Sequence, residues 1–126
     1  MLARDVIIGC LAGLPDDIDV IPYARNIAYP LRTTVMVRTD KVRPAGAGGS
    51  WDVESALVII AAKNDPTGPA DDELDAALQD VLYLLDTDDR AAGLLWTGAT
   101  RAVYGEPEPT NPAYEVAVIT RIQKEA

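Results

Sequence analysis

The chain contains no histidine and only one cysteine, Cys10. Histidine is the most common general base and metal ligand in proteins, so mechanisms that depend on it are excluded. A single cysteine excludes an intramolecular disulfide and a zinc site made of cysteines alone. An enzyme with this sequence would have to use carboxylates, lysine, tyrosine or backbone groups.

Positive charge is also scarce, because 11 Lys and Arg residues stand against 20 Asp and Glu residues, a net charge of −9. Proteins that hold nucleic acid through its phosphates need clustered Lys and Arg. We therefore expect no stable nucleic-acid binding. The sequence also lacks any run approaching the roughly 20 apolar residues of a membrane span, so we expect no membrane partner.

What the sequence does contain is the composition of a soluble globular protein, with 48% hydrophobic and 25% charged residues. A length of 126 residues corresponds to one domain with one core. We therefore treat residues 1–126 as a single domain.

Two segments have the apolar spacing of helices. The first runs from Leu2 to Ala12 and is followed by the stop signals Gly13 and Pro15. The second has the strongest pattern in the chain, and Pro69 suits its first turn. Its apolar residues fall at i, i+3, i+4, i+7, i+8 and i+11, namely Leu74, Ala77, Leu78, Val81, Leu82 and Leu85.

Four segments have the alternation of strands, at residues 31–42, 51–63, 95–104 and 114–123. Ala56 to Ala62 is apolar on both faces, which predicts a central strand. Between the first helix and the first of these strands, prolines 15, 22 and 30 exclude a long helix and leave only short extended pieces such as Ile18 to Ile21. The order α-β-β-α-β-β predicts an α+β fold with a mostly antiparallel β-sheet packed against two helices.

Three segments contain residues that could take part in catalysis or ligand binding, and each has a simpler explanation. Glu106 and Glu108 lie among prolines, in what we interpret as a rigid solvated connection between the last two strands. The acids 86, 88 and 89 lack the ligand spacing and the central glycine of a calcium loop. The glycine-rich segment 46–50 precedes a strand and has no lysine after it, unlike a phosphate-binding loop. We expect no catalytic residue, no metal and no cofactor.

Charge is distributed unevenly along the chain. Eight of the 20 acids lie between Asp71 and Asp89 without a base among them, and five of the 11 bases lie between Arg25 and Arg43. One interpretation is a solvated acidic helix face. The other is ring assembly, in which an acidic patch (Asp72, Glu73, Asp75, Asp80) of one subunit contacts a basic patch (Arg25, Arg32, Arg38) of the next. The acidic patch could alternatively line the lumen of such a ring.

The helix "DDELDAALQDVLYLLD", the strand ending "TRAVYG", the proline-rich link and "NPAYEVAVITRI" resemble the second half of tail terminator proteins of long-tailed, siphovirus-type phages. The opening helix, the paired strands and the glycine-rich loop also match in order and length. The resemblance is one of layout, and it covers essentially the whole chain.

This resemblance implies a virion structural protein without enzymatic activity. Tail terminators form a hexameric ring on the head-proximal end of the tail tube, where they stop its polymerisation and present a surface to head-completion proteins. The implied partners are other copies of the chain, the major tail tube protein and a head-completion protein. The implied location is the virion, after assembly in the host cytoplasm, with DNA passing through an acidic lumen that repels it.

By analogy with the family, Lys41 to Trp51 is predicted to be a flexible loop that orders against the tail tube, with Lys41, Arg43 and Trp51 as contacts. Trp51 is equally well explained as a core residue at the start of its strand. The resemblance leaves a head-completion or neck connector protein as the alternative function. A small carboxylate-based metal-binding module or enzyme, using the acids 86, 88 and 89, is a further alternative.

Overall fold

The computed structural model describes residues 3–23, 32–46, 49–61, 69–88, 93–104 and 111–123. These residues form two helices and five strands of one α+β domain, which confirms the predicted fold class. The elements in chain order are α1 (Ala3–Leu11), β1 (Asp19–Ile21), β2 (Thr34–Pro44), β3 (Ser50–Ile60), α2 (Pro69–Thr87), β4 (Leu94–Tyr104) and β5 (Asn111–Gln123).

The predicted order α-β-β-α-β-β misses β1, so the observed order is α-β-β-β-α-β-β. Strand β1 has three residues, Asp19 to Ile21, and pairs in parallel with Thr34 to Met36. A strand this short between two prolines has too few residues to show a periodicity. Its pairing with β2, rather than its own sequence, makes it a strand.

The strands form one sheet in the order β1-β2-β3-β5-β4, in which every pair except β1 and β2 is antiparallel. Strand β3 lies in the middle, as its apolar sequence predicts, and Leu57 to Ile60 are fully buried. The antiparallel pairing of the last two strands is also as predicted.

Both helices pack on one face of the sheet, which we call the helix face. Ile7 and Leu11 of α1 and Leu74 and Val81 of α2 join a buried cluster with the strand residues of that face, Val35, Val37, Leu57, Ile59, Val116 and Val118. Each fully buried side chain of this size contributes about 1.5–3 kcal/mol of transfer free energy. The amphipathic stripes of the two helices therefore fix the helix layer on the sheet.

The opposite face of the sheet has a smaller cluster of its own. Met36, Val58, Ile60 and Ala113 are buried there, and Ile21 packs against them. These residues alternate along their strands with the residues of the helix face, as the two-residue period of a strand requires. This arrangement explains why the second half of β3 is apolar on both faces.

The predicted loop from Lys41 to Trp51 is wrong at both ends. Strand β2 continues to Pro44 and β3 begins at Ser50, and the two remain paired from Lys41 opposite Glu54 to Pro44 opposite Trp51. The Val42 and Val53 pair in this stretch has the β-branched side chains that favour a strand. Gly46, with φ of 102°, and Gly49, with φ of 78°, supply the left-handed backbone of the turn.

Candidate interaction surface

On β2 and β3, the sheet extends beyond the buried cluster of the helix face. The buried cluster under the helices ends at Val37 on β2 and Leu57 on β3, whereas these strands stay paired to Pro44 and Trp51. We call this extension the distal end of the sheet, formed by residues 39–44 of β2, 50–54 of β3 and 119–122 of β5. Because side chains alternate along a strand, the distal end has two chemically different faces.

On the helix face, the distal end carries an apolar strip made of Val42, Pro44, Trp51 and Ile122. Val42 lies opposite the buried Val53, Pro44 opposite Trp51, and Trp51 opposite Ile122, so these side chains are neighbours across three strands. Val42 is 56% exposed, and Trp51 and Ile122 are half-buried. Trp51 belongs to neither buried cluster, so its position is intermediate between the two alternatives that its sequence leaves open.

On the opposite face, the distal end carries a charged row. Arg43, Asp52 and Arg121 lie side by side on β2, β3 and β5. Arg121 Nε donates a hydrogen bond to Asp52 Oδ1 at 3.0 Å, and this bond lowers the pKa of Asp52 and raises that of Arg121. Arg43 Nε lies 3.7 Å from a carboxylate oxygen of Glu54. The charges of this face are thus largely compensated within the chain.

Arg38 lies on the same face as the charged row, closer to the middle of β2. Its Nε donates to Asp40 Oδ1 at 2.7 Å, and its terminal nitrogen lies 2.6 Å from Glu115 Oε1. The hydrogen bond to Asp40 is the main cause of the raised pKa of Arg38, with Glu115 adding to it. The register of β2 shifts between Thr39 and Lys41, so Asp40 is the extra residue of a bulge next to Arg38.

The three predicted tube contacts, Lys41, Arg43 and Trp51, do lie together at the distal end, although they occupy both of its faces. Lys41 and Arg43 are on the charged face, opposite Glu54 and Asp52, and Trp51 is on the apolar one. The sequence signal for this separation is the alternation "KVRP", in which cations and apolar residues take turns. A loop has no such alternation, and the structure has paired strands here instead of the predicted loop.

Two members of the predicted basic patch, Arg32 and Arg38, bind different acids. Arg32 lies before β2, where it donates to the carbonyl oxygens of Asp16 and Asp17 and its guanidinium is 3.3 Å from Asp19. Arg38 is six residues further along, up to about 20 Å away on a nearly extended chain, and binds the acids of the charged face. Arg25 is outside the described residues, as are Glu106, Glu108 and Asp89.

The predicted acidic residues Asp72, Glu73, Asp75 and Asp80 are all exposed on α2, but they face two different directions. Asp75 accepts a hydrogen bond from the hydroxyl of Tyr114 on β5, at 3.3 Å. Glu73 and Asp80 instead line a groove of about 430 Å³ that Asp17 and Arg32 border on its other side. The 3.6-residue period of the helix separates them in this way.

Asp86, one of the three acids considered as metal ligands, accepts a hydrogen bond from the indole nitrogen of Trp96 at 2.8 Å. Sequence reasoning missed this contact, which ties the last turns of α2 to β4. In the part of the chain that the structure describes, no group of three or more Cys, Asp or Glu residues is arranged to hold a metal ion.

No known protein-family profile matches the sequence, and no curated protein is significantly similar to it. Within the described ranges, neither helix combines the length and the apolar character that crossing a bilayer requires. The distal end of the sheet is the candidate site that the geometry defines, because an apolar strip and a charged row lie there on opposite faces of paired strands.

Proposed function

We propose that the protein is a tail terminator, a structural subunit that forms a ring, taken to be a hexamer, on the head-proximal end of a phage tail tube. The ring ends tube polymerisation and offers its other side to a head-completion protein. The observation that carries this proposal is the distal end of the sheet, with its apolar strip around Trp51 and its compensated charged row. The resemblance in layout supplies the class of partner.

The distal end has the anatomy of a protein interface. Its apolar strip places a half-buried tryptophan beside Val42 and Ile122, and tryptophan is among the residues that dominate binding energy at interfaces. The charged row lies on the opposite face of the same strands, and its ion pairs are already formed within the chain. A contact here would therefore gain apolar burial without leaving these charges unpaired.

The acidic character of the chain fits a ring around a DNA channel. A net charge of −9 repels phosphate, so DNA would pass without adhering. In this proposal the protein resides in the virion, at the head-proximal end of the tail, after assembly in the host cytoplasm.

The test combines assembly with tube capping. Native mass spectrometry and negative-stain electron microscopy at rising protein concentration should show a six-membered ring, alone or on the ends of tubes made from the tail tube protein of the same phage. Tubes polymerised in its presence should be shorter than those polymerised alone. A stable dimer that leaves tube length unchanged would refute the proposal.

A matched pair of variants locates the tube contact. Trp51→Ala removes the aromatic residue of the apolar strip and should weaken capping while leaving the ring intact. Tyr83→Ala removes a 68% exposed aromatic residue on α2, away from the distal end, and should leave capping unchanged. Equal capping by both variants would place the tube contact elsewhere.

A further inference from the structure

Within the described residues, the sheet has two edges without a partner strand. Strand β4 pairs with β5 on one side and with no strand on the other. On the opposite edge, β1 covers only Thr34 to Met36 of β2, which leaves Val37 to Pro44 uncovered by a strand. Residues 39–44 are exposed.

The β4 edge lacks most of the features that prevent edge strands from pairing. It has 11 residues, contains no proline, and carries one charge, on Arg101. Its one irregularity is the register shift between Trp96 and Gly98. Leu95 is 63% exposed and Val103 57%. A long, nearly uncharged edge of this kind is a template for a further strand.

We infer that β4 of one copy pairs with the uncovered part of β2, Val37 to Pro44, in the next copy. This inference rests on the proposed ring and specifies the contact that closes it. The contact is heterologous, because it joins two different edges, and heterologous contacts generate rings when the rotation between subunits closes.

Strand direction supports this pairing. Because β2, β3, β5 and β4 are neighbours in antiparallel pairs, β2 and β4 run in opposite directions. When two sheets continue edge to edge with the same face up, β4 of one and β2 of the next meet antiparallel. The joined sheet keeps the pairing that dominates within each subunit.

The side chains of the two edges match on the helix face. Val42 points to that face, and so do Ala99 and Val103, which lie opposite Val116 and Pro112 of β5. Two of the exposed large hydrophobic residues in the described ranges, Val42 and Val103, lie on this face of the two edges, and Leu95 lies on the opposite face of β4. On the opposite face, β4 would present the small residues Gly98 and Thr100 to the cations of β2, with Leu95 beyond the register shift.

Cross-linking between single-cysteine variants tests the contact. Val42→Cys and Ala99→Cys change one exposed residue on each edge, and the native Cys10 is fully buried. A bismaleimide spanning about 8 Å covers both opposite and diagonal positions of an antiparallel pair. A mixture of the two variants should give a covalent dimer, and each variant alone should give none. Tyr83→Cys, on exposed α2, mixed with Val42→Cys is the matched control and should also give none.

Hydrogen exchange of the wild-type protein provides a second measurement that needs no substitution. Amides of β4 that point away from β5, and outward amides of residues 37–43, should exchange at least tenfold more slowly at concentrations where the ring forms. Thermal melting of each cysteine variant, compared with wild type, verifies that the fold is retained.

The outcomes separate this inference from the proposed function. If the hexameric ring forms but the mixture does not cross-link and the edge amides stay unprotected, the inference is wrong and the ring stands. If Ala99→Cys cross-links alone, β4 pairs with β4 around a two-fold axis, which also overturns it. If wild type stays monomeric and caps no tubes, the proposed function fails and the inference fails with it.

Discussion

Replacing Leu57 with alanine probes the packing of the sheet against the helices. Leu57 lies on the central strand, is fully buried, and belongs to the cluster that joins α1 and α2 to the sheet. The substitution removes three carbon atoms from that cluster and leaves a cavity. The paired strands on both sides limit how far the surroundings can relax into it. Such changes cost about 2–5 kcal/mol, and full burial on a central strand favours at least the middle of this range, about 3 kcal/mol.

The expected effect on melting follows from the size of the domain. A loss of 1 kcal/mol lowers the melting temperature of a domain of this length by about 4 °C, so Leu57→Ala should lower it by about 12 °C. The free energy of unfolding should be measured by urea denaturation followed by circular dichroism, at a concentration where the protein does not assemble. An unchanged m-value would show that the comparison remains valid.

Leu95→Ala is the matched control, because it deletes the same atoms from a leucine that is 63% exposed on β4. Its cost should stay below about 0.5 kcal/mol. The difference between the two variants thus reports burial rather than the chemistry of leucine. Equal costs, or a larger cost for Leu95→Ala, would refute the assignment of Leu57 to the core.

Three other changes have defined outcomes. Trp96→Phe removes the hydrogen bond to Asp86 and should cost about 0.5–1.5 kcal/mol in urea unfolding; no measurable cost would mean that the bond does not stabilise the fold. Arg121→Gln removes the partner of Asp52, whose folded pKa is lowered. The difference in unfolding free energy from wild type should therefore be constant near neutral pH. It should shrink as the pH falls below about 3.9, the pKa of an aspartate in the unfolded chain. A difference that does not depend on pH would contradict the pairing. Changing both Glu106 and Glu108 to glutamine should leave fold and tube capping intact, and loss of capping by this variant alone would restore them as functional candidates.

The sequence predicted the elements whose signal is local. The stripe that includes Leu74 and Val81 identified α2, and the run of apolar residues in the second half of β3 identified the central strand. It placed Lys41, Arg43 and Trp51 in a loop, whereas they lie on the paired strands β2 and β3. The glycines of the turn and the bulge at Asp40 obscured the alternation, which only the pairing with β3 makes clear.

The charge patches were predicted from nearness along the chain, which does not specify where side chains point. Nearness along the chain grouped Arg32 with Arg38, and Glu73 with Asp75, although strand direction and helix period separate their side chains. In the fold, Arg32 forms an ion pair with Asp19, and Arg38 forms one with Glu115 on the charged face. Glu73 lines a groove, whereas Asp75 accepts a hydrogen bond from Tyr114.

The sequence by itself determined which mechanisms the composition excludes, the fold class, the two helices and the central strand. These depend on residue types and on the spacing of apolar residues within about ten positions. Tertiary structure alone decided that β5 lies between β3 and β4, that β1 exists, and that Arg121 binds Asp52 across 69 residues. Strand order and register arise from the pairing of segments distant in the chain, which no local pattern specifies. The apolar strip, the charged row and the two uncovered edges are all products of that pairing.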